Sequence, residues 1–542
     1  MTKQNKEVGF TLPEHAEQTL LEELLEDQQR LTAVDQFVQD HEHGEYPAQA
    51  KYYRNLIPFD KPQAGQQYAF EVDLDRCSGC TACVSACHSM NGLDDNETWR
   101  SVGLLFSQDW QRPYQQTVTT ACHHCLDPGC LTGCPVLAYD KDPATGIVRH
   151  LDDQCIGCQY CIMKCPYEVP RFSKARGIVR KCDMCSNRLA VGEAPACVQA
   201  CPTEAIRIVV ANTAQVSELA EGGRFLPAAP SPEYTKPSTQ YKSSRTLPEG
   251  LLAGDHSRMS AADPHFPLVF MLVLSQLAVG TSIAAFLTRP SIPLLLIAAA
   301  AGAAAPAVAA LHLGKPLKAW RAFLGWRTSW FSREVIVFGA FVPISIGALA
   351  GSWAGSEALS QVAGVLASTI GLAGVACSAM IYVDTHREFW KASQCFGKFF
   401  GTTALLGAAI LLAVQSLSAS GSSTLVIAAL LVIAATAFKQ AVELRIFRSF
   451  VSKNRVVLEP LNKTARLLVD ELGAITRLRE GCAVFGGFIC PLLTIMLFVS
   501  GNSAWHTFGV ATLVLSLAGE LLERYLFFTA VVTVRMPGRM AA

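Results

Sequence analysis

The sequence has no excess of charge of either sign: 45 Lys and Arg face 45 Asp and Glu over 542 residues. That removes a nucleic-acid binder built on a basic surplus. Residues 1–66 hold no apolar run long enough for a signal-peptide core and no Arg-Arg pair for twin-arginine export, so the first half is expected to stay where it is made. In that reducing compartment thiolate–metal chemistry is favoured over disulfides. Cysteine is scarce over most of the chain. Outside residues 77–201 there are four, Cys377, Cys395, Cys482 and Cys490, at no ligand spacing, and they read as packing residues. Histidine is scarce where the chain is most apolar. Beyond residue 266 only His312, His386 and His506 occur, all at or near the ends of apolar runs. A haem inside a membrane bundle needs histidine pairs on facing helices, so no haem is expected.

What is present is unevenly placed. Residues 1–265 carry 24 basic and 34 acidic side chains, and residues 266–542 carry 21 and 11. Sixteen of the 20 cysteines lie between Cys77 and Cys201. Two chemically different halves are joined, which excludes one uniform globular domain. Residues 1–66 form an acidic arm and connection. Leu20, Leu24, Leu31, Val34 and Val38 are spaced as one face of a helix, and the arm reads equally as a solvated tail or as a segment docking on a partner. Residues 67–211 hold the cysteines, with short strands expected at 68–72, 146–149, 177–180 and 205–210. Residues 212–265, rich in Pro, Ser, Ala and Gly, read as an extended linker.

From residue 266 to 542 the chain is a series of apolar stretches, near 267–287, 292–313, 335–354, 362–383, 401–418, 422–442, 482–500 and 505–534. Most reach the roughly 20 residues that a helix needs to cross a bilayer, so about eight transmembrane helices are expected. Lys439 interrupts the sixth, at a position from which a lysine can snorkel to the interface. Loops after the second, fourth and sixth stretches, with the C-terminal tail, hold 19 Lys and Arg; the loops on the other side hold one, Arg289. The positive-inside rule then puts the cysteine domain, the basic loops and the C-terminus in the cytoplasm, with the chain as a multi-pass protein of the inner membrane.

The cysteines fall into four groups: Cys77-x2-Cys80-x2-Cys83-x3-Cys87, Cys122-x2-Cys125-x4-Cys130-x3-Cys134-Pro135, Cys155-x2-Cys158-x2-Cys161-x3-Cys165-Pro166 and Cys182-x2-Cys185-x11-Cys197-x3-Cys201-Pro202. In this bacterial ferredoxin spacing three close thiolates wrap one [4Fe–4S] cluster and the fourth reaches its neighbour. Four-thiolate zinc sites need two C-x2-C pairs each, and leave the third cysteine and the proline unexplained. The longer spacers in groups two and four suggest two nested dicluster modules. One cluster would take Cys77, Cys80, Cys83 and Cys201, and its mate Cys87, Cys182, Cys185 and Cys197. The other module would use Cys122, Cys125, Cys130 and Cys165, then Cys134, Cys155, Cys158 and Cys161. His88 stands where the other groups have proline. That proline shapes a turn and binds no iron, so His88 is not expected to be a ligand.

These motifs carry a resemblance. Residues 68–210, through stretches such as Cys155-Ile-Gly-Cys-Gln-Tyr-Cys-Ile-Met-Lys-Cys-Pro-Tyr167 and Lys181-Cys-Asp-Met-Cys185, resemble the four-cluster subunit of the dimethyl sulfoxide reductase family of molybdenum enzymes. Residues 266–537, through His312-Leu-Gly-Lys-Pro316, Ser329-Trp-Phe-Ser-Arg-Glu334 and Gly519-Glu-Leu-Leu-Glu-Arg-Tyr525, resemble its eight-helix membrane anchor. The fold expected is an α+β ferredoxin-like polyferredoxin domain followed by an all-α transmembrane bundle. The resemblance implies a quinol site around His312 and Glu334 and a separate molybdopterin catalytic subunit on the cytoplasmic side, for which this chain has no domain of its own. With no haem, electrons would pass directly between quinol and an iron–sulfur cluster. At these two positions the other reading is plain helix capping at the interface. Asp384 and His386 are weaker candidates. Glu520 and Arg524, four apart, favour an intrahelical ion pair over catalysis, with Glu523 beside them. Two other functions stay open: the same wiring run in reverse, from a donor-oxidising partner to quinone, and a redox-driven ion-translocating module, which would need more acids deep in the spans than the Glu520/Glu523 pair.

Overall fold

The computed structural model describes residues 19–44, 47–109, 111–288, 291–418, 423–448 and 460–538. Its arm is two helices rather than one face of a single helix, Leu20–Gln29 and Ala33–His43. The break comes from two consecutive capping boxes, Thr19 with Glu22 and Thr32 with Asp35, the second of which starts a new helix where the first has ended. Neither helix buries a residue.

The cysteine half is built from small sheets. Strand Gln66–Asp73 pairs antiparallel with Ile206–Asn212, in register Phe70↔Ile208, so the two ends of the cysteine region close on each other. Inside this outer pair lie two hairpins, Tyr139–Lys141 with Val148–His150 and Arg171–Ser173 with Ile178–Arg180. A third hairpin, Ser101–Phe106 with Gln115–Thr120, is inserted after the first cysteine group. The outer pair thus closes the region from before group one to after group four, and the two hairpins lie between groups two and three and between groups three and four.

Residues 212–265 are not an extended linker. They carry the helix Thr213–Glu221, a strand Gln240–Lys242 added parallel to Glu71–Asp73, and Leu252–Ala253 paired with Phe106 and Leu105. Asp75 fastens the segment: its carboxylate accepts from the Ser243 and Ser244 hydroxyls, the Ser244 amide and, at 3.0 Å, Arg245 Nε. Low apolar content hides these elements, because they complete existing sheets and bring little core of their own.

Among the described residues, eight helices are long and apolar enough to cross a membrane: Phe266–Leu287, Ile292–Ala310, Trp330–Trp353, Glu357–Val383, Ala392–Leu417, Ser423–Phe447, Gly473–Val499 and Trp505–Thr529. The fifth and seventh begin nine residues before the apolar stretches read from sequence, and those added turns carry Lys398 and Arg479. An even number of spans leaves the cysteine domain and the segment after the last span on one side, and there Arg535 lies 3.2 Å from Glu168. The first and fifth helices touch backbone to backbone: a Cβ on Gly280 would lie 2.2 Å from the Thr403 carbonyl and 3.0 Å from Gly407 Cα. Such small-residue contacts supply packing where no water-driven association exists.

The two halves meet at a second glycine contact. Gly157 has φ +70°, and a Cβ there would sit 2.5 Å from the Gly177 carbonyl and 2.9 Å from Gly314 Cα. Gly314 follows the second span, and the Lys315 amide donates to the Ile156 carbonyl at 3.0 Å. The third cysteine group is thus seated on the end of the bundle.

Candidate redox sites

The structure brings the sixteen cysteines together in four sets of four. Cys77, Cys80, Cys83 and Cys201 line one cavity, with Thr119. Cys122, Cys125, Cys130 and Cys165 line another, with Lys181. Cys134 lies in mutual electrostatic range of Cys155, Cys158 and Cys161. Cys87 does the same with Cys182, Cys185 and Cys197. The first two sets line cavities rather than meeting at a point. Among the described residues no three His, Cys, Asp or Glu side chains converge as a single-ion site would require. Zinc, at Zn–S of about 2.3 Å, needs its four sulfurs nearly in contact; a cubane puts each thiolate on a different iron and fits the wider arrangement.

Local backbone explains the proline after three of the groups. Three residues past Cys134, Cys165 and Cys201 the chain turns left-handed, at Leu137 (φ 55°), Glu168 (φ 50°) and Glu204 (φ 52°). In two of them the amide after the turn reaches back toward the sulfur: Ala138 N–H to Cys134 Sγ and Ala205 N–H to Cys201 Sγ, both at 3.2 Å. Proline ends the helix so that this turn can form. In the first group the helix Ala82–Asn91 runs on through Cys87 and His88, and Asn91 Nδ2 donates to Cys87 Sγ at 3.7 Å instead. His88 faces the Asp94 carbonyl at 3.3 Å and is no part of the set. Burial pushes the Cys87 thiol up to about 12 and those of Cys134 and Cys165 to about 11, so iron must displace protons to bind there.

The sets follow one another in a line. Tyr139 lies between Cys161 and Cys130, Cys182 neighbours Cys122, and Cys83 neighbours Cys197. One end of the line reaches the surface at Cys80, which is exposed. The other end is the third group on the bundle.

There His312, two residues past the second span, lies beside the Cys158 backbone. Its Nε2 is buried with no hydrogen-bond partner among the described residues, and its ring meets His265 edge-on at 5.0 Å. Burial, with His265 adding to it, pushes His312 down to about 4, so the ring is neutral at pH 7. Glu334 is buried one turn into the third span and accepts from the Ser378 hydroxyl. Ser329 and Ser332, just before it, donate to the Gly133 and Pro135 carbonyls at 2.7 and 3.2 Å. Both residues thus stand at the contact with the membrane-side cysteine set, and no hydrogen bond links them to each other among the described residues.

Asp384 does something else. Its carboxylate takes Lys164 Nζ at 2.6 Å and its carbonyl takes the same ammonium at 2.8 Å, while Tyr160 donates to the Ile381 carbonyl at 3.0 Å. Arg387 adds a bond to the Met163 carbonyl at 3.3 Å, and His386 packs on Tyr234 with ring centroids 4.1 Å apart. The end of the fourth span is a docking clamp for the ferredoxin domain.

Inside the bundle lies a charged network that sequence reasoning misses. Lys439 does not snorkel: it is 1% exposed and pairs with Glu520, which also accepts from Thr402. Glu443, one turn on, lies 3.8 Å from Lys439 and 2.6 Å from Arg479. Glu523 lies 3.0 Å from Lys398 and 3.3 Å from Arg524, at angles that make ion pairs without hydrogen bonds. Arg524 donates to Gln276 at 2.9 Å and Thr402 at 3.1 Å on other helices and pairs with its neighbour Glu523, while Glu520 pairs with Lys439, so the expected Glu520–Arg524 pair is not formed. The interruption at Lys439 is the signal of it in the sequence. Of the remaining cysteines, Cys395 is buried with its thiol donating to the Trp390 carbonyl at 3.3 Å, and Cys377, Cys482 and Cys490 join no ligand group among the described residues.

Comparison with known proteins agrees with this division. Residues 114–211 match the 4Fe-4S dicluster domain family, and residues 259–530 match the DMSO reductase anchor subunit family. The protein is 35% identical over 187 residues to the B subunit of the anaerobic dimethyl sulfoxide reductase of Escherichia coli, covering 32% of this sequence and 88% of that one. It is 37% identical over 167 residues to the iron-sulfur subunit of the nitrate-inducible formate dehydrogenase of Escherichia coli, covering 28% and 56%. To the hydrogenase-2 operon protein HybA of Escherichia coli O157:H7 it is 34% identical over 200 residues, covering 32% and 60%. An iron–sulfur electron-transfer unit and a multi-pass anchor are thus fused in one polypeptide, and the chain belongs to the dimethyl sulfoxide reductase family as an iron–sulfur subunit joined to its DMSO reductase anchor subunit.

Proposed function

We propose that this chain takes electrons from a membrane quinol beside His312 and Glu334 and delivers them, along four [4Fe–4S] clusters, to a separate molybdopterin catalytic subunit. The observation that carries the reading is the seating of His312. An unpartnered buried nitrogen, on a ring that is neutral at pH 7, adjoins the backbone of Cys158 at the membrane end of the line of cysteine sets.

Each residue has a role in that reading. His312 Nε2 is free to accept a hydrogen bond from a quinol hydroxyl and to pass its proton on rather than keep it, and Glu334, held by Ser378, offers a proton acceptor one helix away. Cys134, Cys155, Cys158 and Cys161 hold the first cluster, and Cys122, Cys125, Cys130 and Cys165 the second. Cys87, Cys182, Cys185 and Cys197 hold the third, and Cys77, Cys80, Cys83 and Cys201 the outermost. When bound, the clusters supply one-electron transfer, and the protein sets the spacing and polarity around them. Exposure of Cys80 supports docking of the catalytic subunit on that face. The charge pattern of the loops supports a cytoplasmic position for it.

The test is reduction of the clusters by quinol against reduction by dithionite. His312→Ala and Glu334→Gln should slow the first by about a hundredfold, on the scale of general-base loss, and leave the second intact, because the cysteines lie in another domain. Parental rates with quinol in both variants would put the site elsewhere.

A further inference from the structure

Arg100 is a deeply buried cation in the ferredoxin half. It is 2% exposed, just before strand Ser101–Phe106, and no carboxylate pairs with it among the described residues. The acid nearest in sequence, Glu97, is taken by Arg180, and Glu71 by Arg207 and Lys242. One hydrogen bond is made, from Nη1 to Thr119 Oγ1 at 3.2 Å, and the guanidinium lies 4.7 Å over the Phe70 ring. Nε and Nη2 are buried and have no partner among the described residues. A buried charge left in this condition is costly unless a further anion neutralises it.

Its surroundings identify that anion. Thr119 lines the cavity of Cys77, Cys80, Cys83 and Cys201, and its hydroxyl also lies 3.6 Å from Cys83 Sγ. Phe70, on which the guanidinium lies, packs in one core with Cys83, Cys122, Cys182 and Cys197. The cysteines in electrostatic range of the guanidinium are Cys83 of the outermost set and Cys87, Cys182 and Cys197 of the next, so Arg100 sits between those two sets. We propose that Arg100 is the internal counter-cation of the two outer iron–sulfur sites, raising their reduction potentials above what the same ligands would give alone and so drawing electrons away from the membrane. This rests on the four-cluster reading above.

The physics is a charge balance. A four-thiolate cluster is anionic and gains a further negative charge on reduction, so a nearby buried cation stabilises the reduced form more than the oxidised one. Net charge and hydrogen bonding to the sulfurs are among the determinants of cluster potential, and little solvent is present to screen this one. None of the cysteines in electrostatic range of Arg100 belongs to the two sites nearer the membrane, one of which has Lys181 beside Cys122 and Cys130, so those two should not respond to it.

The experiment is an EPR-monitored redox titration of the full chain, with iron measured on the same samples. Arg100→Gln keeps N–H donors and loses the charge; Arg100→Lys keeps the charge. Glutamine should lower the midpoint potentials of two of the four clusters and leave the other two in place, and lysine should leave all four near the parental values. All four unchanged in Arg100→Gln at full iron, or an equal shift in both variants, overturns the proposal. If glutamine costs the protein its outer clusters while lysine retains them, the requirement for charge stands; loss in both makes Arg100 a matter of shape and overturns it. Parental protein without about four irons per cysteine set would instead remove the four-cluster reading.

Discussion

Removing Lys439 separates a clamp from a snorkelling lysine. The ammonium is 1% exposed, between Glu520 and Thr402, with Glu443 at 3.8 Å. In Lys439→Met the Glu520 carboxylate keeps only Thr402 and stays buried. Breaking a buried pair by deleting one partner costs about 3–5 kcal/mol, most of it the stranded charge. At about 1.4 kcal/mol per decade that is a hundredfold to several-thousandfold in the folding equilibrium. Glu520→Gln should cost less, about 1–3 kcal/mol, because Lys439 retains Glu443. Lys439→Met with Glu520→Leu removes both charges and should recover most of the loss. The assay is reversible unfolding in mixed micelles, read as a double-mutant cycle with Glu520→Leu as the second single variant. A lysine at the interface would give a different result: Lys439→Met within about 0.5 kcal/mol of the parent, as for an exposed pair. That outcome, or simple additivity in the cycle, would refute the clamp.

Lys164→Met should loosen the docking of the ferredoxin domain by about 1–3 kcal/mol, discounted from a fully buried pair because Asp384 is 26% exposed. Amide exchange should then quicken across 155–165 and 380–388 while the strand pair Gln66–Asp73 with Ile206–Asn212 stays protected; equal protection at the contact would show that the clamp is dispensable. Anaerobically purified protein should hold about 16 iron and 16 acid-labile sulfide per chain and no stoichiometric zinc. Four zinc ions in their place would end the electron-transfer reading.

Much of the site is legible in the sequence because its chemistry is written in spacing. A C-x2-C-x2-C-x3-C run fixes which sulfurs share a turn and which is carried away by the next one, and the longer spacers suggest the closure of group one on group four that the outer strand pair makes. The helices are legible for a similar reason, since length and composition alone decide whether a segment can cross a bilayer. Their starts are not. Lys398 and Arg479 fall outside the apolar windows, which leaves Glu523 and Glu443 without partners and sends Lys439 to the interface. Charges that neutralise one another across three or four helices leave no periodic trace in any one of them. The segment 212–265 is illegible for the opposite reason: its strands borrow the core of the sheets they join, and Asp75 fastens them through side chains far away in sequence. Arg100 belongs to the same class, because a buried cation is informative only once its surroundings are known.

Placement of the quinol site decides whether turnover conserves energy. His312 and Glu334 lie at the ferredoxin side of the bundle, at the ends of the second and third spans nearest the cysteine sets. On the proposed reading, a proton leaving a quinol there is released on the side where the catalytic subunit docks. A reductive reaction in that subunit consumes its protons on the same side, and the electrons run from the membrane surface outward through the ferredoxin domain. No net charge crosses the bilayer. The intact complex, reconstituted in vesicles with a quinol and an oxidised substrate, should therefore turn over without building a membrane potential, and an uncoupler should not change its rate. The buried network complicates a purely passive view of the bundle, since Lys398, Lys439, Glu443, Arg479, Glu520, Glu523 and Arg524 form a chain of ionisable groups across four helices. Ion pairing throughout argues for a structural role, because a group that carries protons must change charge, and each member here would strand its partner by doing so. A potential that appears on turnover and is lost in Glu520→Gln would reverse that conclusion and make the network, with the quinol site, part of a proton route.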